Sequence, residues 1–127
     1  MKALSVKQPF ADNIIFHGKD IENRTWRTKF RGTVALHAGM KFHEYADLSD
    51  EEKKEMVRGA IIGVVDVVDC VDKHKSKWFQ KGFYGFVLEN PRPLKKPIPC
   101  KGMLGFWKVP PRIEREIQIQ LKGKINI

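Results

Sequence analysis

Lys19, Glu22 and Arg24 place an ammonium, a carboxylate and a guanidinium close together in a chain segment too polar to be core. Two cations so placed can hold a phosphate or a carbonyl oxygen, Arg24 in a bidentate fork and Lys19 as a point charge. Glu22 can accept from the amino group of a base, or orient the lysine. The same residues can instead form a plain ion pair of Glu22 with Arg24 or Arg31, which is worth little at a surface. Geometry decides between these readings. On an extended segment Glu22 and Arg24 point the same way while Lys19 starts on the opposite side, so only a turn near Asp20 unites all three.

Other candidates flank this group. Gln8 stands at a predicted strand-to-helix junction, where its amide can read a base edge or cap the helix. Trp26 can stack an unpaired base or belong to the core. Lys29 and Arg31 supply a positive rim. Trp78 and Phe79, set among Lys73, Lys75, Lys77 and Lys81, offer either a second stacking platform or an aromatic plug. The four histidines and two cysteines are scattered without the short paired spacing of a metal site, so no metal and no cofactor is expected. His37, on a predicted strand, reads as a structural histidine near the cleft.

The bulk properties fit one domain over 1–127, with residues 111–127 as a C-terminal extension, helical by its pattern. The net charge of +9 favours polyanionic partners, because neutralised phosphates release counterions whatever the base sequence. No apolar run approaches the ~20 residues that span a bilayer, so no membrane partner is expected. The N-terminus lacks the pattern of a signal peptide, and Cys70 and Cys100 are too few for a disulfide scaffold. A cytoplasmic location is the expectation.

The elements that must position the candidates can be read in order. Lys2 to Lys7 alternates as a short strand, and Pro9 opens a helix carrying Phe10, Ala11, Ile14 and Ile15 up to a break near Gly18. Lys19 to Lys29 is extended or looped, and Thr33 to Ala38 is a strand. Ser49 and Glu52 form a capping box for a polar helix. Ala60 to Val71 is rich in β-branched residues, the best strand of the chain, and Phe83 to Glu89 is another. Asn90 to Pro99 holds four of the seven prolines and cannot be an interior strand or helix. Cys100 to Val109 supplies a last short strand, and Pro110-Pro111 begins a terminal helix with Ile113, Ile117 and Leu121 on one face and Gly123 past its end. The alternation of Ile117, Ile119 and Leu121 also fits a strand. The pattern is α+β: a small mixed β-barrel of about five to six strands with two to three peripheral helices.

The stretch from Ser5 to Gly39 resembles the ASCH family, the activating signal cointegrator-1 homology domain, related to the PUA fold. The residues that carry the likeness are Ser5, Gln8-Pro9, Lys19, Glu22, Arg24, Trp26, Arg31-Gly32 and His37-Ala38. The family's glycine two residues before the lysine is His17 here, with Gly18 directly preceding Lys19. The resemblance implies a PUA-like barrel whose cleft, between helix and sheet, binds RNA or a modified nucleoside. The ligand-binding set expected on this basis is Ser5, Gln8, Lys19, Glu22, Arg24, Trp26, Arg31 and His37.

Some small proteins of the family are amidohydrolases of N(4)-acetylcytidine, using the motif lysine, a threonine three residues later and a distal glutamate. Lys19 matches the lysine, but Glu22 occupies the threonine position and Thr25 and Thr28 are out of register. A Lys19/Glu22 pair activating water, or supporting RNA cleavage, remains the hydrolase alternative. A protein-interaction module linked to transcription or translation is the third reading.

Overall fold

The computed structural model describes residues 1–122. Six strands and three helices follow one another as β1 (Lys2–Gln8), α1 (Phe10–Phe16), β2 (Ile21–Arg24), β3 (Gly32–Phe42), α2 (Asp50–Glu55), β4 (Ala60–Val71), β5 (Tyr84–Pro99), β6 (Phe106–Lys108) and α3 (Pro111–Gln120). The strands form one mixed sheet in the order β2-β5-β4-β3-β1-β6, with β1 and β3 parallel and the other pairs antiparallel.

The sheet is strongly curled. β2 and β1 stand first and fifth in the order, yet Arg24 of β2 reaches the backbone carbonyl of Ser5 in β1 at 2.8 Å. Phe106 of β6 gathers Trp26, Phe30 and Phe86 around it, with ring centroids 4.9 to 5.8 Å apart. The barrel is therefore closed by side chains rather than by a backbone ladder.

Period-two alternation sorts β3 between two cores. Val34, Leu36 and Ala38 join Leu4, Val6, Phe86 and Leu88 inside, where α1 contributes Ala11, Ile14 and Ile15 at helical spacing. Ala35 faces the other way, with Ile61, Val64, Trp107 and the buried face of α3. Gly63 lets the barrel wall approach α1: a Cβ there would lie 2.7 Å from the Arg92 carbonyl and 2.8 Å from Ile15.

β4 spans the predicted residues, and α2 begins with the predicted box: Ser49 Oγ accepts from the Glu52 amide, and the Glu52 carboxylate accepts from the Ser49 amide. α2 ends at Glu55, short of Gly59, and buries no residue. In α3, Ile113, Ile117 and Leu121 are buried while Ile119 is 69% exposed, which resolves the helix-or-strand ambiguity as helix. Gly123 lies outside the described residues.

Two segments are more ordered than expected. The polar stretch after Lys19 contains β2, which pairs with Tyr84 to Val87. The proline-rich segment is strand throughout, pairing with β4 at Arg92, Pro93, Ile98 and Pro99. The prolines do not forbid this because β2 covers only the first part of β5. Beyond it β5 is an edge, where a missing N–H breaks no rung on the open side.

Candidate functional site

Gly18 adopts a left-handed φ of +75° at the end of α1, and the Lys19 amide bonds to the Asn13 carbonyl at 3.0 Å. The turn thus falls at Gly18, ahead of Lys19, rather than near Asp20 as expected. It sends the chain into β2 and folds the Lys19 side chain back, so that Nζ donates to the Ile21 carbonyl. The ammonium lies 4.9 Å from the Phe10 ring, 5.5 Å from the Trp78 ring and 3.9 Å from Glu22 Oε1. Glu22 Oε2 in turn accepts from Arg24 Nε at 2.9 Å, and Arg24 Nη2 forms an ion pair with the same oxygen at 2.8 Å.

Lys19 and Glu22 are buried, their side chains only 3% and 7% exposed. Burial pushes the Lys19 pKa down; the nearby carboxylates of Glu22 and Asp20 oppose this but do not cancel it, and Arg24 adds to the lowering. An ammonium has three donors, and the Ile21 carbonyl takes one. Donor capacity thus remains in a poorly hydrated place, where a ligand acceptor gains more than it would at an open surface.

These groups line a cleft of about 550 Å³. Ser5 and Lys7 of β1, Phe10 of α1 and Asn23 of β2 share its wall with Lys19, Glu22 and Arg24. Its rim is made by the segment after β3 (His43 to Tyr45), by Gln80 and Phe83, and by the loop from Met103 to Gly105. Asn23 fixes part of that rim, donating to the Trp78 carbonyl and accepting from the Gln80 amide, each at 2.9 Å. The Ser76 hydroxyl adds a bond to Asp20 at 2.6 Å.

Of the eight residues expected to bind a ligand, Ser5, Lys19, Glu22 and Arg24 line this cleft and the other four do not. Gln8 is wholly buried and caps α1: Oε1 accepts from the Asp12 amide at 3.0 Å, while Nε2 donates to Asp12 and to the Val57 carbonyl. Trp26 packs edge-on against Phe86 and Phe106. Arg31 points away, bonding to the Thr28 and Phe30 carbonyls and lying 3.5 Å from Asp69.

His37 is buried behind Ser5. Its Nε2 lies 2.6 Å from the Cys100 carbonyl, which can only accept, so the proton sits on Nε2. Nδ1 then accepts from the Ser5 hydroxyl at 3.0 Å, and Trp107 Nε1 donates to the same Oγ at 3.1 Å. Burial lowers the His37 pKa and keeps the ring neutral, with the Cys100 bond opposing. His37 thus supports the cleft wall.

Trp78 lies behind the cleft lining, its ring 5.5 Å from the Lys19 ammonium, and Phe79 packs against Gly85, where a Cβ would lie 2.9 Å from its ring. Sequence reasoning missed Phe10, Asn23, Tyr45, Gln80, Met103 and Leu104 as lining residues. The one local signal was His43 and Tyr45, rings set in a polar segment just after a strand. Among the described residues, no group of three His, Cys, Asp or Glu could hold a metal ion, and no helix is long and apolar enough to cross a membrane.

A curled six-stranded mixed sheet with three helices, and a charged hollow between α1 and the strands, defines a small α+β domain of PUA-like form. Residues 4–98 match the ASCH domain, and the chain belongs to that family. It is similar to activating signal cointegrator 1 of Homo sapiens and of Mus musculus, each 26% identical over 135 aligned positions that cover 88% of this chain. The chain spans 23% of the length of these relatives. Membership of this family supports, in general terms, a domain of RNA-binding type.

Proposed function

We propose that this domain binds single-stranded RNA, or a modified nucleoside within it, in the cleft between α1 and the barrel. The observation that carries the reading is the convergence of Lys19, Glu22 and Arg24 on one hollow. The cations meet a phosphate or carbonyl oxygen, and Glu22 accepts from an exocyclic amino group. Lys7, exposed on the rim, adds positive charge where a backbone phosphate passes.

Binding is favoured over acyl transfer by the hydroxyls at hand. Those of the cleft-lining residues belong to Ser5 and Tyr45. The Ser5 hydroxyl donates to His37, a pairing that by itself would suit a nucleophile, but Gly102 covers it so closely that a Cβ there would lie 2.5 Å away, which leaves little room for an acyl carbon. Thr28 lies outside the cleft, its Oγ1 accepting from the Phe30 amide.

The test is fluorescence anisotropy with labelled single-stranded RNA across a salt series. Binding that weakens with salt and drops in Lys19→Ala and Arg24→Ala supports the reading. Equal binding by both variants refutes it. Release of acetate from acetylated cytidine, lost in Lys19→Ala, would favour the hydrolase instead.

A further inference from the structure

Two lips of the cleft end in large apolar groups, Tyr45 on one and Met103 with Leu104 on the other, that lie outside both hydrophobic cores. On one, Phe10, His43 and Tyr45 form a ladder of rings, with centroids 4.7 Å apart for the first pair and 5.7 Å for the second. The ladder starts beside the Lys19 ammonium and ends at Tyr45, which is 83% exposed. On the other lip, Met103 is 57% and Leu104 98% exposed. Phe10 packs against the first hydrophobic core, whereas Tyr45, Met103 and Leu104 belong to neither cluster.

Both lips are anchored at their bases. The His43 amide bonds to the Gln8 carbonyl at 2.7 Å, and the Tyr45 amide to His43 Nδ1 at 3.3 Å. The opposite loop is held where the Cys100 carbonyl meets His37 and where Gly102 packs on Ser5 and His37. Lys41 and Lys101 are exposed on the strand and the loop that lead into the two lips. Exposed apolar faces flanked by cations, on either side of a polar hollow, match the chemistry of a single strand: flat base faces joined by phosphates.

Resting on the proposed RNA reading, we infer that Tyr45 and Leu104 cover the bases flanking the one that enters the cleft. The ligand is then an oligonucleotide of at least three nucleotides rather than a free nucleoside. Tyr45 supplies a stacking face, and Leu104 with Met103 an apolar cover. Stacking tolerates any base, so these contacts add affinity without adding sequence preference.

The experiment compares hexauridylate and hexaadenylate with uridine and adenosine monophosphates on the wild type, Tyr45→Ala, Leu104→Ala, Tyr45→Phe and Lys19→Ala. Both alanine variants at the lips should fold normally, since the groups removed are exposed. Tyr45→Ala should weaken hexanucleotide binding roughly 5- to 150-fold, the range of base–aromatic stacking losses; Leu104→Ala, which removes an aliphatic cover, should weaken it measurably but less, and both should leave monophosphate binding within about twofold. Tyr45→Phe should bind as the wild type does. Unchanged hexanucleotide affinity in the lip variants overturns the inference, and points to a protein partner for the apolar lips. If Lys19→Ala loses binding in that same series, the cleft reading stands without it. If the wild type binds no hexanucleotide, both fall.

Discussion

Arg24 donates to the Ser5 carbonyl at 2.8 Å while the same guanidinium grips Glu22, so one side chain joins the site to the seam of the barrel. Arg24→Ala removes the nearer partner of a buried carboxylate, leaving it only Lys19 at 3.9 Å, as well as the seam contact. A loss of about 2–4 kcal/mol is expected, because a buried charge stripped of its hydrogen-bonded partner costs more than a neutral bond. Urea denaturation measures it. Arg24→Ala combined with Glu22→Gln should recover part of the loss, and a double variant no more stable than Arg24→Ala would contradict this origin.

Lys19 is held below the ordinary lysine value of 10.5 by its burial. On the proposed reading the ammonium holds the ligand, so RNA binding should decline with rising pH before an exposed lysine would deprotonate. Lys19→Arg, which stays charged throughout, should flatten the profile while lowering affinity at neutral pH through its different shape. Binding constants from about pH 7 to 10 give the test.

His37 has a folded pKa below the ordinary 6.5, so between the two values the unfolded chain binds more protons than the folded one. Its stabilising contribution is complete above about pH 6.5 and falls as pH drops through that value towards the folded pKa. The urea midpoint should therefore decrease with acidification over that window. His37→Gln should lose that portion of the slope. Nitrogen-15 shifts should show a neutral ring with the proton on Nε2.

Gly102→Ala would put a Cβ 2.5 Å from Ser5 Oγ and 2.7 Å from the His37 ring. A destabilisation of about 1–3 kcal/mol is expected from this overpacking. Hydrogen exchange should rise at Met103 and Leu104 as the loop lifts. Thermal unfolding unaltered by the substitution would show that the loop is not clamped there.

The legible part of this molecule was local. The box at Ser49 and Glu52, the run Ala60 to Val71 and the face Ile113, Ile117, Leu121 each carry their whole signal within a few residues. Lys19, Glu22 and Arg24 were legible too, given a turn, which Gly18 supplies. Illegible were the distant partners. A helix cap at Gln8 and a core place for Trp26 were among the readings, but not their bonds and contacts to Val57 and Phe106, nor that Arg31 sits at a different end from the cleft. The prolines of β5 excluded an interior strand, and they lie on an edge; nothing local reveals where β2 stops covering them.

A wall knit by main-chain rungs resists widening along its whole length, whereas this one is buttoned at a single guanidinium and a knot of phenyl and indole rings. Cutting that fastening is expected to slacken the wall of the hollow while the ladder pairs on either side keep their register.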